Sequence, residues 1–109
     1  GDQGNGPMSL KEEMSRKLAE DARLAILKEL AAQTDGRLND LLLQRALDVY
    51  GFRRDRDWIV TQLRKLEDLG ALSLTEIGGM HIARIARAGR DHLDERLVLA
   101  GVTRPAEGE

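Results

Sequence analysis

Cysteine is absent from the 109 residues of this sequence, and aromatic side chains make up only 3% of them. Without cysteine there can be no disulfide bond, no thiol nucleophile and no zinc site built on thiolates. Because aromatic residues are scarce, the core must be built mostly from Leu, Ile, Val and Ala. No apolar run approaches the length of a membrane span and no signal peptide is visible, so we expect a cytoplasmic protein without a membrane partner.

A basic excess is absent as well. The formal net charge is −2 at pH 7, whereas a domain that binds nucleic acid through its overall charge is strongly basic. Any interface with DNA must therefore depend on a local cluster of cations. Hydrophobic residues make up 41% of the chain and charged residues 33%, which is the composition of a folded globular domain rather than a disordered segment.

The length of the chain suits one domain with one core. We interpret residues 1–7, which hold three glycines, one proline and no apolar anchor, as a cloning scar ahead of a native start at Met8. Residues 8–97 are predicted to form a winged-helix domain, for the reasons given below. Residues 98–109 are predicted to be an extended C-terminal tail.

Three helices are predicted in the first part of the domain from apolar residues at helical spacing, bounded by caps and stops. The first runs from Leu10 to about Ala32 and opens with a capping box, in which Ser9 and Glu12 satisfy each other's free amides. Helices two and three each end at a glycine, which readily adopts the left-handed conformation of a C-terminal stop. The predicted N-caps are Ser9, Asn39 and Asp55.

The apolar spacing then changes to that of strands. Residues 72–77 and 80–85 flank Gly78-Gly79, a pair that suits a two-residue hairpin turn because both glycines can take positive φ. Counted outward from the turn, the register gives the hairpin two distinct faces. One of these faces carries Ile77, Met80 and Ile82.

A last helix is expected from about Arg87 to Leu97. The predicted order is therefore three helices, a hairpin and a fourth helix. We predict a mainly α fold with a small β-hairpin, which is the winged variant of helix-turn-helix. Helix three then occupies the position that enters the DNA groove in such domains.

Motifs along most of the chain carry a resemblance to a known family. They are residues 22–30, Leu38-Asn39, the interval 51–70, the Gly78-Gly79 turn, Gly89 and residues 101–105. In these motifs the chain resembles small winged-helix proteins encoded by Mu-like phages and prophages, often labelled ArsR-like transcriptional regulators. The resemblance covers nearly all of residues 8–105 and implies a DNA-binding regulator. The chain departs from the family at Ala86, where a hydroxyl residue is expected as the N-cap of the last helix.

The segment 53–65 is the best candidate for an interface with double-stranded DNA. It carries five cations against Asp55 and Asp57, a local charge of +3, and arginine at the start of such a helix can contact phosphates or guanine edges. The alternative is a solvated helix face with local ion pairs, and Trp58 could equally be half-buried against helix two. The predicted DNA contacts are Arg53, Arg54, Arg56, Trp58, Thr61, Gln62, Arg64 and Lys65.

Two apolar surfaces lie outside the predicted core. They are a stripe on helix one and one face of the hairpin, and we predict that they contact a second copy in a homodimer, or a phage or host protein. The alternative is that the C-terminal tail covers them. Since residues 71–83 contain no Lys or Arg, a protein-interaction module in phage development stays open as a second function. The residues concerned are Leu10, Met14, Leu18, Ile77, Met80 and Ile82.

His81 and His92 are the only histidines, and they lie on different predicted elements. They are not accompanied by other ligands at metal-binding spacing, so we predict no metal site and no cofactor. His81 is expected to form a surface pair with Glu76 across the hairpin. The sequence pairs no nucleophile with a base and has no phosphate-binding glycine loop before a helix, so we predict that the protein is not an enzyme.

Overall fold

The computed structural model describes residues 9–107, which form four helices and a three-stranded antiparallel sheet. The segment interpreted as a cloning scar lies outside these described residues. The mainly α fold with a small hairpin is confirmed. In chain order the elements are α1 (Leu10–Ala31), β1 (Arg37–Asn39), α2 (Asp40–Val49), α3 (Arg56–Asp68), β2 (Leu72–Ile77), β3 (Met80–Ile85) and α4 (Arg87–Leu93).

The predicted caps determine where the first three helices begin. The side chains of Ser9, Asn39 and Asp55 each accept a hydrogen bond from the backbone N–H three residues further on. Glu12 completes the capping box by accepting the N–H of Ser9 at 3.0 Å. Each bond satisfies an amide that a helix leaves without a partner in its first turn.

The sheet has the strand order β1-β3-β2 and contains one strand that we did not predict. The hairpin of β2 and β3 has the predicted register, from Ile77 opposite Met80 at the turn to Leu72 opposite Ile85 at the base. The unpredicted β1 is three residues long and pairs with β3. This pairing ties the start of α2 to the hairpin.

The core lies where α1, α2 and α3 meet the inner face of the sheet. Leu27 of α1, Leu43 of α2 and Leu63 of α3 are completely buried. The sheet contributes Leu72, Ala83 and Ile85. Leu, Ile and Ala side chains therefore fill most of the interior.

The last helix is shorter than predicted, and the C-terminal segment is not an extended tail. α4 ends at Leu93 rather than Leu97. Leu99 and Val102 are buried in the same core as the helices. Residues 99–103 are therefore packed onto the folded domain.

His92 holds this C-terminal segment in place. Its ring is fully buried, and its Nδ1 accepts the N–H of Leu99 at 3.0 Å. The other ring nitrogen, Nε2, therefore carries the hydrogen and donates to the carbonyl of Thr103 at 2.9 Å. The ring is a structural bridge between α4 and the segment that follows it.

Gly89 allows α4 to pack closely against the beginning of β2. A Cβ atom at this position would lie 2.4 Å from the carbonyl oxygen of Ala71. Any larger residue would collide with backbone there, so the glycine is required by the packing rather than by an unusual φ.

Candidate nucleic-acid interface

The outward face of α3 carries a line of side chains opposite the core. Leu63 is buried beneath the helix, while positions 58, 61 and 65 are separated by three or four residues and so share one face. Arg54 lies in the link just before the helix. Arg54, Thr61 and Lys65 are exposed and Trp58 is half-buried. This line is one of the parts of α3 that another molecule can reach; Arg64 is exposed beside it.

Arg54 and Trp58 form one unit at the beginning of this face. The Arg54 guanidinium lies 5.4 Å from the centroid of the Trp58 ring, which is the geometry of a cation–π contact. The ring itself packs partly against the core. Trp58 thus restrains the guanidinium group of Arg54.

Gln62 does not belong to this face, although we predicted it as a DNA contact. Its side chain is 2% exposed, and its Oε1 accepts from Arg23 Nε at 2.9 Å. Arg23 also donates from Nη1 to the carbonyl of Gly101 at 2.6 Å. Gln62 therefore helps to join α3 to α1 and the C-terminal segment, where DNA cannot contact it.

Arg53 and Arg56 are engaged in ion pairs. Arg53 Nε lies 3.8 Å from Asp48 Oδ1 in a loose, exposed pair. Arg56 Nη2 lies 3.2 Å from Asp40 Oδ2 and donates to the carbonyl of Gly79 at 2.8 Å. The guanidinium of Arg56 is thus committed to α2 and to the hairpin turn.

Asp40 is the centre of a polar network that the sequence did not predict. Its side chain is completely buried, and Oδ2 accepts from Arg56 and, at 3.1 Å each, from the backbone N–H and the ring Nδ1 of His81. Within the described part of the chain, Oδ1 has no hydrogen-bond partner. Burial raises the pKa of the Asp40 carboxyl, but these hydrogen bonds and the Arg56 charge outweigh it, so the pKa lies below its ordinary value.

His81 connects this network to α3. Since its Nδ1 donates to Asp40, its Nε2 is free to accept from Arg64 Nη2, 3.2 Å away. His81 does stand opposite Glu76 in the strand register. Its side chain is only 15% exposed, however, so the predicted surface pair is wrong. Together Arg56 and Arg64 fasten the hairpin beside α3.

The two apolar surfaces are only partly covered. Leu10 is 73% exposed and Met14 63%, whereas Leu18 is half-buried. On the hairpin Ile77 is 61% exposed, and Met80 and Ile82 are half-buried.

The C-terminal segment leaves the exposed end of the α1 stripe uncovered. Thr103 donates from its backbone N–H to Glu20 and from its hydroxyl to Asp21, further along α1. Leu99 and Val102 are in the core. Leu10 and Met14 therefore remain available to a partner.

The arrangement of three helices followed by a hairpin and a short helix is that of a winged-helix domain. No protein-family model matches the chain. The chain is 32% identical over 88 residues to the uncharacterized protein gp26 of Escherichia phage Mu, an alignment that covers 81% of this chain and 91% of that protein. It therefore belongs to the family of this phage Mu protein, which supports the predicted relationship to Mu-like phages.

Among residues 9–107, no helix is both long enough and apolar enough to cross a bilayer.

Proposed function

We propose that this protein is a non-enzymatic DNA-binding regulator of a Mu-like phage or prophage, which reads double-stranded DNA through α3 as a homodimer. The observation that carries the proposal is the line formed by Trp58, Thr61 and Lys65 on the outward face of α3, with the exposed Arg54 in the link just before the helix. A helix that presents such a line can enter the major groove, where cations meet phosphates or guanine and smaller side chains meet other base edges.

The structure narrows the set of contacts in this proposal. Gln62 is buried and Arg56 is bound to Asp40 and Gly79, so both are assigned structural roles. Arg64 is exposed, and its contact with the His81 ring leaves further guanidinium N–H groups for a ligand. The remaining candidate contacts are Arg53, Arg54, Trp58, Thr61, Arg64 and Lys65.

The hairpin has a supporting role in this proposal. Its tip lacks the Lys and Arg side chains that would hold phosphates. It is instead joined to α3 through Arg56 and Arg64. We propose that the hairpin fixes the orientation of α3 on the DNA duplex.

The experiment that tests the proposal is a titration of phage DNA fragments at two salt concentrations. A cation that contacts a phosphate releases a counterion, so Lys65→Ala should weaken binding and lower the log–log salt slope by about one. The matched control is Arg87→Ala, an exposed cation at the start of α4. If the parent protein binds no DNA at low salt, the proposal fails.

A second candidate function is a protein-interaction module in phage development. The observation that favours it is the exposure of Leu10, Met14 and Ile77. In that case Arg54→Ala should be silent, while Met14→Ser and Ile77→Ser should disrupt a complex with a phage or host protein. DNA titration and sedimentation of the same variants distinguish the two functions.

A further inference from the structure

A surface concavity of about 450 Å³ lies between α2 and the link that leads to α3. Three arginines and one carboxylate stand in its wall, giving a local charge of +2 in a chain whose net charge is −2. Positive charge gathered around a concave space attracts anions. The lining residues are Leu41, Gln44, Arg45, Asp48, Arg53 and Arg54.

The wall of this concavity is held in place by the fold. Gln44 Nε2 donates to the carbonyl of Arg54 at 3.0 Å, which fastens the link to α2. The N–H of Phe52 donates to the carbonyl of Leu47 at 2.9 Å and secures the start of the same link. Trp58 restrains the guanidinium of Arg54. The backbone of the link and the Arg54 guanidinium are therefore held before a ligand binds, whereas the exposed side chains of Arg45 and Arg53 become ordered on binding.

The geometry points to a binding site for a phosphate group in this concavity, formed by Arg45, Arg53 and Arg54. Guanidinium groups match phosphate because they donate paired N–H groups in a planar fork. Resting on the proposed function, the inference is that this phosphate belongs to the DNA backbone. In helix-turn-helix complexes the helix before the recognition helix crosses the backbone, and α2 carries Arg45.

Asp48 competes with a bound phosphate for the guanidinium group of Arg53. Its carboxylate is paired with Arg53 only loosely, at 3.8 Å, and both side chains are mostly exposed. An exposed pair of this kind contributes little stability. Arg53 can therefore exchange the carboxylate for a phosphate, and the carboxylate of Asp48 opposes the binding of an anion.

The site is tested with two probes, inorganic phosphate and a short DNA duplex. Phosphate should move the NMR signals of Arg45, Arg53 and Arg54, and the duplex should move the same signals. Arg45→Ala and Arg53→Ala should each lower the log–log salt slope of DNA binding by about one. Asp48→Asn should tighten binding of both probes, a gain that misfolding cannot produce. Arg87→Ala is the control with an exposed arginine outside the concavity.

The outcomes separate this inference from the proposed function. If Lys65→Ala weakens DNA binding while Arg45→Ala and Arg53→Ala behave like the control, the phosphate site is wrong and the proposed function stands. If inorganic phosphate moves the three arginine signals and the parent binds no duplex, the site serves free phosphate and the proposed function fails. Unmoved arginine signals with both probes overturn the site.

Discussion

Asp40 shows how one residue can hold several elements together. The buried carboxylate is stabilised by Arg56 and His81 through a single oxygen. Removing a partner from a buried charge is more harmful than removing a surface ion pair, because the remaining charge loses its compensation. Arg56, which we predicted as a DNA contact from the sequence, therefore contributes mainly to the stability of the folded domain.

Arg56→Ala is therefore expected to lower the free energy of unfolding by about 1–3 kcal/mol, the range for a hydrogen bond to a charged group that is partly reached by solvent. Arg53→Ala is the matched control, since its side chain is 84% exposed and its ion pair is loose. This control should change stability by less than about 0.5 kcal/mol. Urea unfolding measures the free energy of unfolding of both variants. A loss for Arg56→Ala as small as that for Arg53→Ala would mean that the ion pair with Asp40 does not stabilise the fold.

The same network predicts a dependence of stability on pH. The pKa of Asp40 is lower in the folded chain than in the unfolded chain, so the unfolded chain binds the proton first as the pH falls. Asp40 therefore contributes fully to the free energy of unfolding at pH values above its pKa in the unfolded chain. This contribution is lost as the pH falls through its pKa in the folded chain. Asp40→Asn should therefore lose less stability between neutral and acid pH than the parent. Urea titrations over a pH series check this, with Asp48→Asn as the exposed control; identical pH profiles for Asp40→Asn and parent contradict it.

At the scale of helices and strands, short sequence motifs correctly predicted the features that depend only on neighbouring residues. The caps at Ser9, Asn39 and Asp55 and the turn at Gly78-Gly79 are encoded within a few residues, and all are present in the structure. β1 escaped prediction because three residues are too few to display the alternation of a strand. It exists because it pairs with β3, more than forty positions away.

The candidate interface was only partly predictable for a similar reason. The line from Trp58 to Lys65 follows from helical spacing. The burial of Gln62 does not, because it depends on Arg23 of α1, and the partner of His81 is 41 positions away in sequence. Neither contact leaves a local pattern. The arginines that form the concavity similarly come together only when α2 and the link are folded.

α4 begins without the side-chain cap that the other three helices have. Ala86 has the extended backbone of an N-cap, with φ −103° and ψ 175°, and lacks a side-chain hydrogen bond. Ala86→Ser should therefore raise the free energy of unfolding by about 0.5–1 kcal/mol. Ala88→Ser places the same hydroxyl inside the helix against the core and should not stabilise. Thermal unfolding of both variants tests this prediction. If Ala86→Ser does not raise the stability of the domain, the missing cap does not limit it.

At the scale of the whole molecule, the surfaces proposed for DNA and for a protein partner adjoin each other. The arginines of the concavity and the outward face of α3 form a basic region, whereas the first turns of α1 carry the apolar stripe among charged residues. Arg54 belongs to both regions, since it also lines a second groove with Leu10, Met14 and Leu18. A partner seated on α1 would therefore lie next to the proposed DNA contacts.

The last prediction is that the partner on α1 is a second copy of the chain. Leu10 and Met14 are 73% and 63% exposed and lie one helical turn apart, so two copies of α1 can bury them against each other. Sedimentation at micromolar concentration should show twice the chain mass. The double variant Leu10→Ser, Met14→Ser should sediment as a monomer that keeps the parent's circular dichroism, whereas Val49→Ser, at an 87% exposed position on α2, should remain dimeric. A parent that stays monomeric at high concentration excludes this dimer and, with it, the reading of two DNA half-sites by one assembly.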